Sequence, residues 1–240
     1  MNIRMFDSRE ELDAFAAQFF IDKINRKPQA TLGLATGSTP IGIYENLVER
    51  YRKGDVSFSQ VTTFNLDEYV GVPASNEQSY AYFMKNNLFG HIDLPVDRAF
   101  LPNGMADDLQ AECAHYDGMM AGQPIDIQLL GIGHNGHIGF NEPDEALQGG
   151  THVVTLKQET RDANARFFAS MDDVPKLAIT MGVGSIMKAR TIMLVAKGAD
   201  KADIIKQALQ GPITTQCPAS LLQAHPDALI LLDREAGGKL

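Results

Sequence analysis

The chain has few cysteines and no long apolar run, and its first 20 residues are not expected to act as a targeting signal. Its two cysteines, Cys113 and Cys217, lie far apart and in no CxxC spacing. This excludes a disulfide scaffold and a cysteine-rich zinc site, and it fits a reducing cytosol. The longest uncharged apolar stretch, residues 177–187, is too short to span a bilayer, and charged residues interrupt the first 20 positions. We therefore expect a soluble, cytoplasmic protein that has no membrane partner.

The chain also has fewer basic than acidic residues. Lysine and arginine total 21 against 30 acidic residues, which gives a net charge of −9 and a pI near 5.1. Nucleic acids and anionic membranes need a basic face, so this balance excludes both as partners. An anionic small molecule would have to be held by a local cluster of cations. Hydrophobic residues make up 44% of the 240 positions, enough for a sizeable core.

Helical and strand-like patterns alternate along the whole chain. Short apolar runs bounded by turns indicate strands near residues 31–35, 61–65, 125–130, 152–156, 177–181, 191–196 and 228–232. Helical patterns separate them near residues 41–48, 79–88, 107–120, 163–168, 200–209 and 219–224. This alternation predicts a single α/β domain, residues 1–240, whose mostly parallel sheet is covered on both faces. Ligands bind such sheets at the carboxyl ends of the strands, so we expect the chemistry in the loops there.

The first helix has the clearest start signal. Ser8 to Glu11 forms a capping box, and Pro28 is expected to end the helix. Its predicted buried face carries Leu12, Phe15, Ala16, Phe19 and Phe20.

A TGSTP loop, residues 36–40, joins the first of these apolar runs to a helix. Gly37 lets the backbone approach a ligand, the hydroxyl groups of Thr36, Ser38 and Thr39 can donate, and the helix N-terminus offers free N–H groups. These features favour a phosphate site. The alternative is an ordinary strand-to-helix turn, with an N-cap and a proline in the first helical position. No lysine follows the glycine, so this is not a Walker A loop.

An acidic pair, Asp67 and Glu68, follows the run at residues 61–65. A carboxylate at the end of a strand can remove a proton from a carbon acid when it is partly desolvated. The alternative is that one acid caps the next element and the other is solvated. The residues alone leave both interpretations open.

A glycine loop, residues 131–143, follows the run at 125–130. Its GIGHNG segment matches the dinucleotide pattern GxGxxG, but Gly139 and Pro143 interrupt the helix that a nucleotide site needs, and no acid ends the next strand. We favour a catalytic loop in which His137 moves a proton and Glu142 orients it. A purely structural histidine is the alternative. Two histidines and one acid do not form a specific metal motif, and we expect neither a metal nor a cofactor.

The basic residues Arg161, Arg166 and Lys201 are scattered. In an acidic protein such residues are usually solvated, and they would gain a function only beside an anion.

The segments TGSTP, FNLDEYVG and LGIGHNGHIGFNEP, in this order and spacing, resemble the glucosamine-6-phosphate deaminase family. ANARFF and GADKADIIKQAL match the same family, so the resemblance covers nearly the whole chain. It implies a Rossmann-like three-layer α/β/α fold. It also implies conversion of glucosamine 6-phosphate and water to fructose 6-phosphate and ammonia, a carbon–nitrogen hydrolysis in amino-sugar catabolism that needs no cofactor.

The resemblance also implies roles for individual residues. Asp67 matches the base that takes the C2 proton and returns it at C1. His137 matches the residue that opens the sugar ring, with Glu142 as its partner. Asn135 stands beside this pair where some members have Asp, and it can act only through hydrogen bonds. The residues implied to bind phosphate are Thr36, Gly37, Ser38, Thr39, Arg166 and Lys201.

The resemblance bears on regulation as well. Longer members form hexamers activated by N-acetylglucosamine 6-phosphate, which is bound partly by an arginine and a lysine. Their places hold His152 and Val154 here, which cannot clamp a second phosphate. We therefore expect hyperbolic kinetics, no activation, and a monomer or small homo-oligomer. Residues 154–174 are a candidate lid.

Two rival functions share the implied fold. A 6-phosphogluconolactonase typically has Asp-Glu-Arg where this chain has Asp67-Glu68-Tyr69, and it lacks the ending Phe-Asn-Glu-Pro of the glycine loop. A non-catalytic sugar-phosphate sensor domain would not need the acids and His137, which are intact here. Both rivals are therefore disfavoured.

Overall fold

The structure, a computed structural model, is built around a seven-stranded parallel sheet. It describes residues 1–158, 161, 170 and 174–240. The strands are β1 (Asn2–Phe6), β2 (Thr31–Leu34), β3 (Thr62–Asn65), β4 (Asp67–Tyr69), β5 (Ala99–Phe100), β6 (Ile127–Leu130), β7 (His152–Thr155), β8 (Leu177–Thr180), β9 (Thr191–Ala196) and β10 (Ala228–Asp233). The helices are α1 (Arg9–Arg26), α2 (Ile41–Arg52), α3 (Tyr80–Asn87), α4 (Leu109–Ala121), α5 (Val183–Ile186) and α6 (Ala202–Gln210). Short 3-10 turns lie at Phe89–His91, Val96–Arg98, Ala199–Lys201 and Pro218–Ala224.

The large sheet has the strand order β1-β10-β9-β6-β2-β3-β5, and every pair in it is parallel. All residues of β2, β6, β9 and β10 are buried, so helices and loops cover both faces of its centre. The predicted α/β fold with a mostly parallel sheet is confirmed. The strand order reverses between β2 and β6, and α/β sheets bind ligands at such a switch point.

Three of the strand segments form a second sheet instead of joining the first. Its order is β4-β8-β7, with antiparallel pairs. The runs at 152–156 and 177–181 are strands, as predicted, but they pair in this antiparallel sheet, and the acidic pair Asp67 and Glu68 lies in strand β4. Asp and Glu are poor strand formers, so tertiary pairing overrides local preference here.

Two edge strands escaped prediction. β1 is exposed along most of its length and contains Arg4, so it lacks the apolar run that marks a buried strand. β5 has only two residues. Both are held by pairing with a central neighbour, β1 with β10 and β5 with β3.

Helix α1 starts where the capping box predicts. The Ser8 hydroxyl accepts a hydrogen bond from the Glu11 N–H at 3.1 Å, and the helix ends at Arg26, just before Pro28. Its buried face is rotated from the predicted one, because Phe15 and Phe19 are only half-buried. The buried residues are Leu12, Asp13, Ala16, Ala17, Phe20, Ile21 and Ile24.

The helix predicted at residues 163–168 and most of the candidate lid lie outside the described residues. Within the described part of the chain, no helix combines the length and the apolar character needed to cross a membrane.

Removing the cap of α1 tests the local basis of the fold. Ser8→Ala should lower the free energy of unfolding by about 1 kcal/mol, because an N–H of the first turn loses its acceptor. Denaturant unfolding measures this change as a shift of the midpoint at constant slope. The exposed Ser75, replaced by Ala, is the matched control. Equal midpoints for both variants would contradict the role of the cap.

Candidate active site

The predicted site residues that the structure describes follow the strands at one edge of the large sheet. β9, β6, β2 and β3 are consecutive neighbours in the sheet, and their carboxyl ends lead into residues 197–201, the glycine loop, the TGSTP loop and β4 respectively. Contacts link these segments. Lys197 Nζ donates to the Thr39 carbonyl at 2.9 Å, and a Cβ atom placed on Gly131 would lie 3.6 Å from Thr39 Oγ1. One placed on Gly139 would lie 3.6 Å from Asp67 Oδ2.

Asp67 is a buried carboxyl group without a hydrogen-bond donor among the described residues. It is only 6% exposed and lies opposite Thr180 in the antiparallel pair of β4 and β8. Burial, together with repulsion from Glu68, raises the pKa of Asp67 to about 8. A base with such a pKa is matched to proton transfer near neutral pH.

Glu68 has a different environment from its neighbour. It is buried and accepts hydrogen bonds from the N–H groups of Tyr69, Tyr80 and Ala81 at 2.8–2.9 Å. Two of these groups belong to the first turn of α3, so Glu68 caps that helix. Burial raises the pKa of Glu68, and the three hydrogen bonds oppose the rise. One acid of the pair is thus a cap, as the structural alternative predicts. The other is buried and not solvated, which corrects that alternative.

The glycine loop contains no helix among residues 131–143, so its glycine pattern does not open a nucleotide-binding helix. The glycines serve close packing instead. The imidazole of His137 fills the space where a Cβ of Gly133 would sit, at 2.3–2.5 Å from that position. The Phe140 N–H donates to Thr180 Oγ1 at 3.1 Å, which ties the loop to the strand opposite Asp67.

His137, Glu142 and Asn135 form one cluster within this loop. His137 Nδ1 lies 3.3 Å from Glu142 Oε1 without the geometry of a hydrogen bond, so the two groups form an ion pair only when the imidazole is protonated. Asn135 donates through Nδ2 to Glu142 Oε2 and accepts from the His137 N–H at 3.2 Å. The amide therefore fixes the carboxylate against the loop. The His137 side chain is 23% exposed and Glu142 only 5%, so the imidazole is the member that a ligand can reach.

The TGSTP loop has the form of an anion site. Gly37 has φ +89° with open space around its Cβ position, and Gly37 and Ser38 are exposed. Pro40 is the N-cap of α2 and not its first helical residue, and no side chain of the described residues caps this N-terminus. The turn therefore lacks the side-chain cap and the proline in the first helical position that the alternative expects. The first N–H groups of α2 remain available to an anion.

The predicted phosphate cations are only partly described. Lys201 ends the 3-10 turn after β9 and is half-buried, and burial lowers the pKa of its ammonium group. A hydrogen bond between His134 and Asp200 at 2.7 Å connects the glycine loop to this turn. Arg166 lies outside the described residues. Arg161 donates to the Val174 carbonyl at 3.2 Å.

Sequence reasoning missed Lys197 and Asp13. Lys197 Nζ lies 2.5 Å from Asp13 Oδ1, and both side chains are nearly buried. Each carried a signal: Lys197 directly follows the apolar run at residues 192–196, and Asp13 interrupts the apolar face of α1. Across the described residues, no group of three or more His, Cys, Asp or Glu side chains could hold a metal ion.

Comparisons with known proteins bear on the whole chain. Residues 7–231 match the family described as glucosamine-6-phosphate isomerases/6-phosphogluconolactonase. A glucosamine-6-phosphate deaminase of Clostridium perfringens is 49% identical over 237 residues, 98% of either chain. A solved structure described as a monomeric glucosamine-6-phosphate deaminase has a TM-score of 0.96 at 46% identity, with both chains fully covered. A solved 6-phosphogluconolactonase from Trypanosoma brucei has a TM-score of 0.77 at 19% identity, covering 100% of this chain and 98% of that one.

The family description names two activities, and sequence identity distinguishes between them for this chain. The two deaminases share 49% and 46% of their aligned residues with this chain, whereas the lactonase shares 19%, a likeness that shows the fold alone. The chain therefore belongs to the glucosamine-6-phosphate isomerase/6-phosphogluconolactonase family, among its glucosamine-6-phosphate deaminases.

Proposed function

We propose that this chain converts glucosamine 6-phosphate and water into fructose 6-phosphate and ammonia. The observation that carries the proposal is Asp67, a buried base whose pKa is raised to about 8 and which lies against the glycine loop that holds His137 and Glu142. Moving a proton between neighbouring carbon atoms needs such a base, and opening a sugar ring needs a separate acid–base pair.

Binding of the phosphate group comes first. The uncapped N-terminus of α2 and the hydroxyl groups of the TGSTP loop receive the phosphate oxygens, and Lys201 supplies charge. We assign Arg166 to the same group from the sequence alone. The phosphate is remote from the reacting carbons, so its binding energy positions C1 and C2.

Ring opening follows at the other end of the sugar. His137 transfers a proton between the anomeric hydroxyl and the ring oxygen, and Glu142 stabilises the charged imidazole. Asn135 holds Glu142 in place and does not ionise. This step yields the open-chain amino aldehyde.

Asp67 then acts on the open chain. Its carboxylate removes the C2 proton, which gives an enolamine, and returns that proton to C1. The product carries an imine at C2. Water adds to this imine, and loss of ammonia leaves the ketone of fructose 6-phosphate. The balance of atoms needs only water.

Activity on two substrates tests the proposal. The purified chain should release ammonium and fructose 6-phosphate in equal amounts from glucosamine 6-phosphate, and it should not hydrolyse 6-phosphogluconolactone. A chain that hydrolyses the lactone alone would be a lactonase. A chain that binds the amino sugar phosphate without turnover would be a sensor.

We also propose a monomeric state and a cytoplasmic location. A close structural relative is described as monomeric. Both cysteines are free thiols and buried, as suits a reducing compartment. Light scattering of the eluting protein measures the mass directly, and a dimer or hexamer would contradict the first statement.

The two neighbouring acids should respond differently to neutralisation. Asp67→Asn should lower kcat by roughly 100-fold or more, because the amide cannot take the C2 proton. In the unchanged enzyme kcat/KM should fall as the pH drops through about 8, since protonation of Asp67 removes the base. Steady-state kinetics from pH 6 to pH 10 measure both effects.

Glu68→Gln is the matched control. It keeps Asp67, so kcat should fall far less than in Asp67→Asn, whereas thermal stability should drop because α3 loses a charged acceptor. An inactive Glu68→Gln beside a nearly normal Asp67→Asn would move the base by one residue.

Lys201 should contribute to affinity and little to the chemical step. Lys201→Met should raise KM for glucosamine 6-phosphate by roughly tenfold, because a charge-assisted contact to the phosphate is lost. We expect the same direction for Arg166→Ala. Residual turnover of unphosphorylated glucosamine should not change. An unaltered KM in Lys201→Met would remove this lysine from the phosphate pocket.

Velocity curves should be hyperbolic, with no activation by N-acetylglucosamine 6-phosphate. Val154 packs in the apolar cluster around Tyr69 and Phe140, and His152 Nδ1 lies 3.0 Å from the Gly150 carbonyl. Neither offers the permanent charge that a second phosphate needs. Initial rates with and without the acetylated sugar phosphate measure this. Sigmoidal curves that the effector makes hyperbolic would contradict it.

A further inference from the structure

A nearly buried ion pair contacts the TGSTP loop. Lys197 Nζ contacts Asp13 Oδ1 at 2.5 Å and donates to the Thr39 carbonyl at 2.9 Å. The two charged side chains are only 14% and 10% exposed. A buried charge needs a partner and hydrogen bonds, and here the Thr39 backbone supplies one of them.

The same pair also meets the start of α2. A Cβ atom placed on Gly42 would lie 2.3 Å from Asp13 Oδ2, so the carboxylate occupies the space beside the first turn of that helix. Burial raises the pKa of Asp13, and Lys197 opposes the rise. Helix α1, the end of β9 and the first turn of α2 therefore converge on one cluster.

The backbone conformation directly after Lys197 is also fixed by hydrogen bonds. Gly198 has φ +96°, a conformation that favours glycine, and its N–H faces both carboxylate oxygens of Asp233 at 3.0 and 2.9 Å. Arg9 forms an ion pair with Asp233 at 3.3 Å. This turn leads directly into the segment that carries Lys201. One short stretch thus contacts the TGSTP loop through Lys197 and carries Lys201 four residues further along the chain.

We propose that Lys197 is a positioning residue for the phosphate pocket, with Asp13 as its partner. Its ammonium group holds the Thr39 carbonyl behind the loop, where that oxygen cannot turn toward a bound anion and repel it. The N–H groups of the α2 N-terminus are thereby kept directed at the phosphate. Asp13 neutralises Lys197, so the attraction for phosphate comes from the loop and Lys201. The inference rests on the proposed function only in taking a sugar phosphate as the ligand.

Three variants separate positioning from simple structural support. Lys197→Met removes the Thr39 contact and leaves Asp13 uncompensated. Asp13→Asn keeps the contact. Asp13→Asn combined with Lys197→Met removes the contact without leaving a buried charge unpaired. The exposed Lys188, replaced by Met, is the control.

We expect KM for glucosamine 6-phosphate to rise roughly tenfold in Lys197→Met and in the double variant, with kcat within about threefold of the unchanged enzyme. The inhibition constant of inorganic phosphate should rise in parallel. Asp13→Asn should show a smaller change in KM. Thermal stability should follow a different order, with Lys197→Met the least stable and the double variant more stable than it. Lys197→Arg, which keeps a donor and a charge, should recover part of the affinity.

A KM within twofold of the unchanged value in folded Lys197→Met would overturn the proposal. So would a normal KM in the double variant, because the unpaired Asp13 charge and not the lost Thr39 contact would then be the cause. Should Lys197→Met fail to fold, the double variant and Lys197→Arg carry the same comparison. If the unchanged chain produces no fructose 6-phosphate, the proposed function fails. The dissociation constants of inorganic phosphate, measured by calorimetry, would still test Lys197.

Discussion

The end of strand β8 fixes the relation between the base and the glycine loop. Thr180 lies opposite Asp67, and the Met181 N–H donates to the Leu66 carbonyl at 2.7 Å. The same two residues of β8 and its exit accept hydrogen bonds from the glycine loop: Thr180 Oγ1 from the Phe140 N–H and the Met181 carbonyl from Asn141 Nδ2. A slip of one residue in this pairing would turn Asp67 to the other face of the small sheet. The three-stranded sheet therefore sets the position of Asp67 relative to the glycine loop.

Placing Asp67 there has a thermodynamic consequence. Its pKa is raised from 3.8 to about 8, so between these values the folded chain holds a proton that the unfolded chain has lost. Folding then takes up a proton, and the stability associated with this group falls as the pH rises from about 4 to about 8. Burial also raises the pKa of Glu68, but three N–H groups donate hydrogen bonds to its carboxylate and oppose that rise. The two neighbouring acids of β4 therefore have different roles: Asp67 is kept reactive, and Glu68 stabilises helix α3.

Local chemistry made much of this structure predictable. The Ser8 capping box, the loops after β2 and β6, and the central apolar strands are all encoded within a few residues, and each was placed correctly. What escaped prediction depends on contacts distant in sequence. β4 forms only because β8 pairs with it, and Lys197 finds Asp13 across 184 positions. Asp67 and Glu68 are poor strand formers, so the local sequence gives no sign of β4. No spacing rule relates Lys197, which follows β9, to Asp13 in the first helix.

The glycines of the catalytic loop also limit how this sequence can change. At Gly133 the His137 ring occupies the position of a Cβ atom, and at Gly136 the Cys217 sulfur lies 2.6 Å from that position. A single added methyl group at Gly133 would therefore displace the histidine itself. Gly133 and Gly136 therefore cannot be replaced singly without disturbing the loop, and we expect both in any descendant that keeps the chemistry. Changes in substrate choice would then arise at residues other than these two glycines.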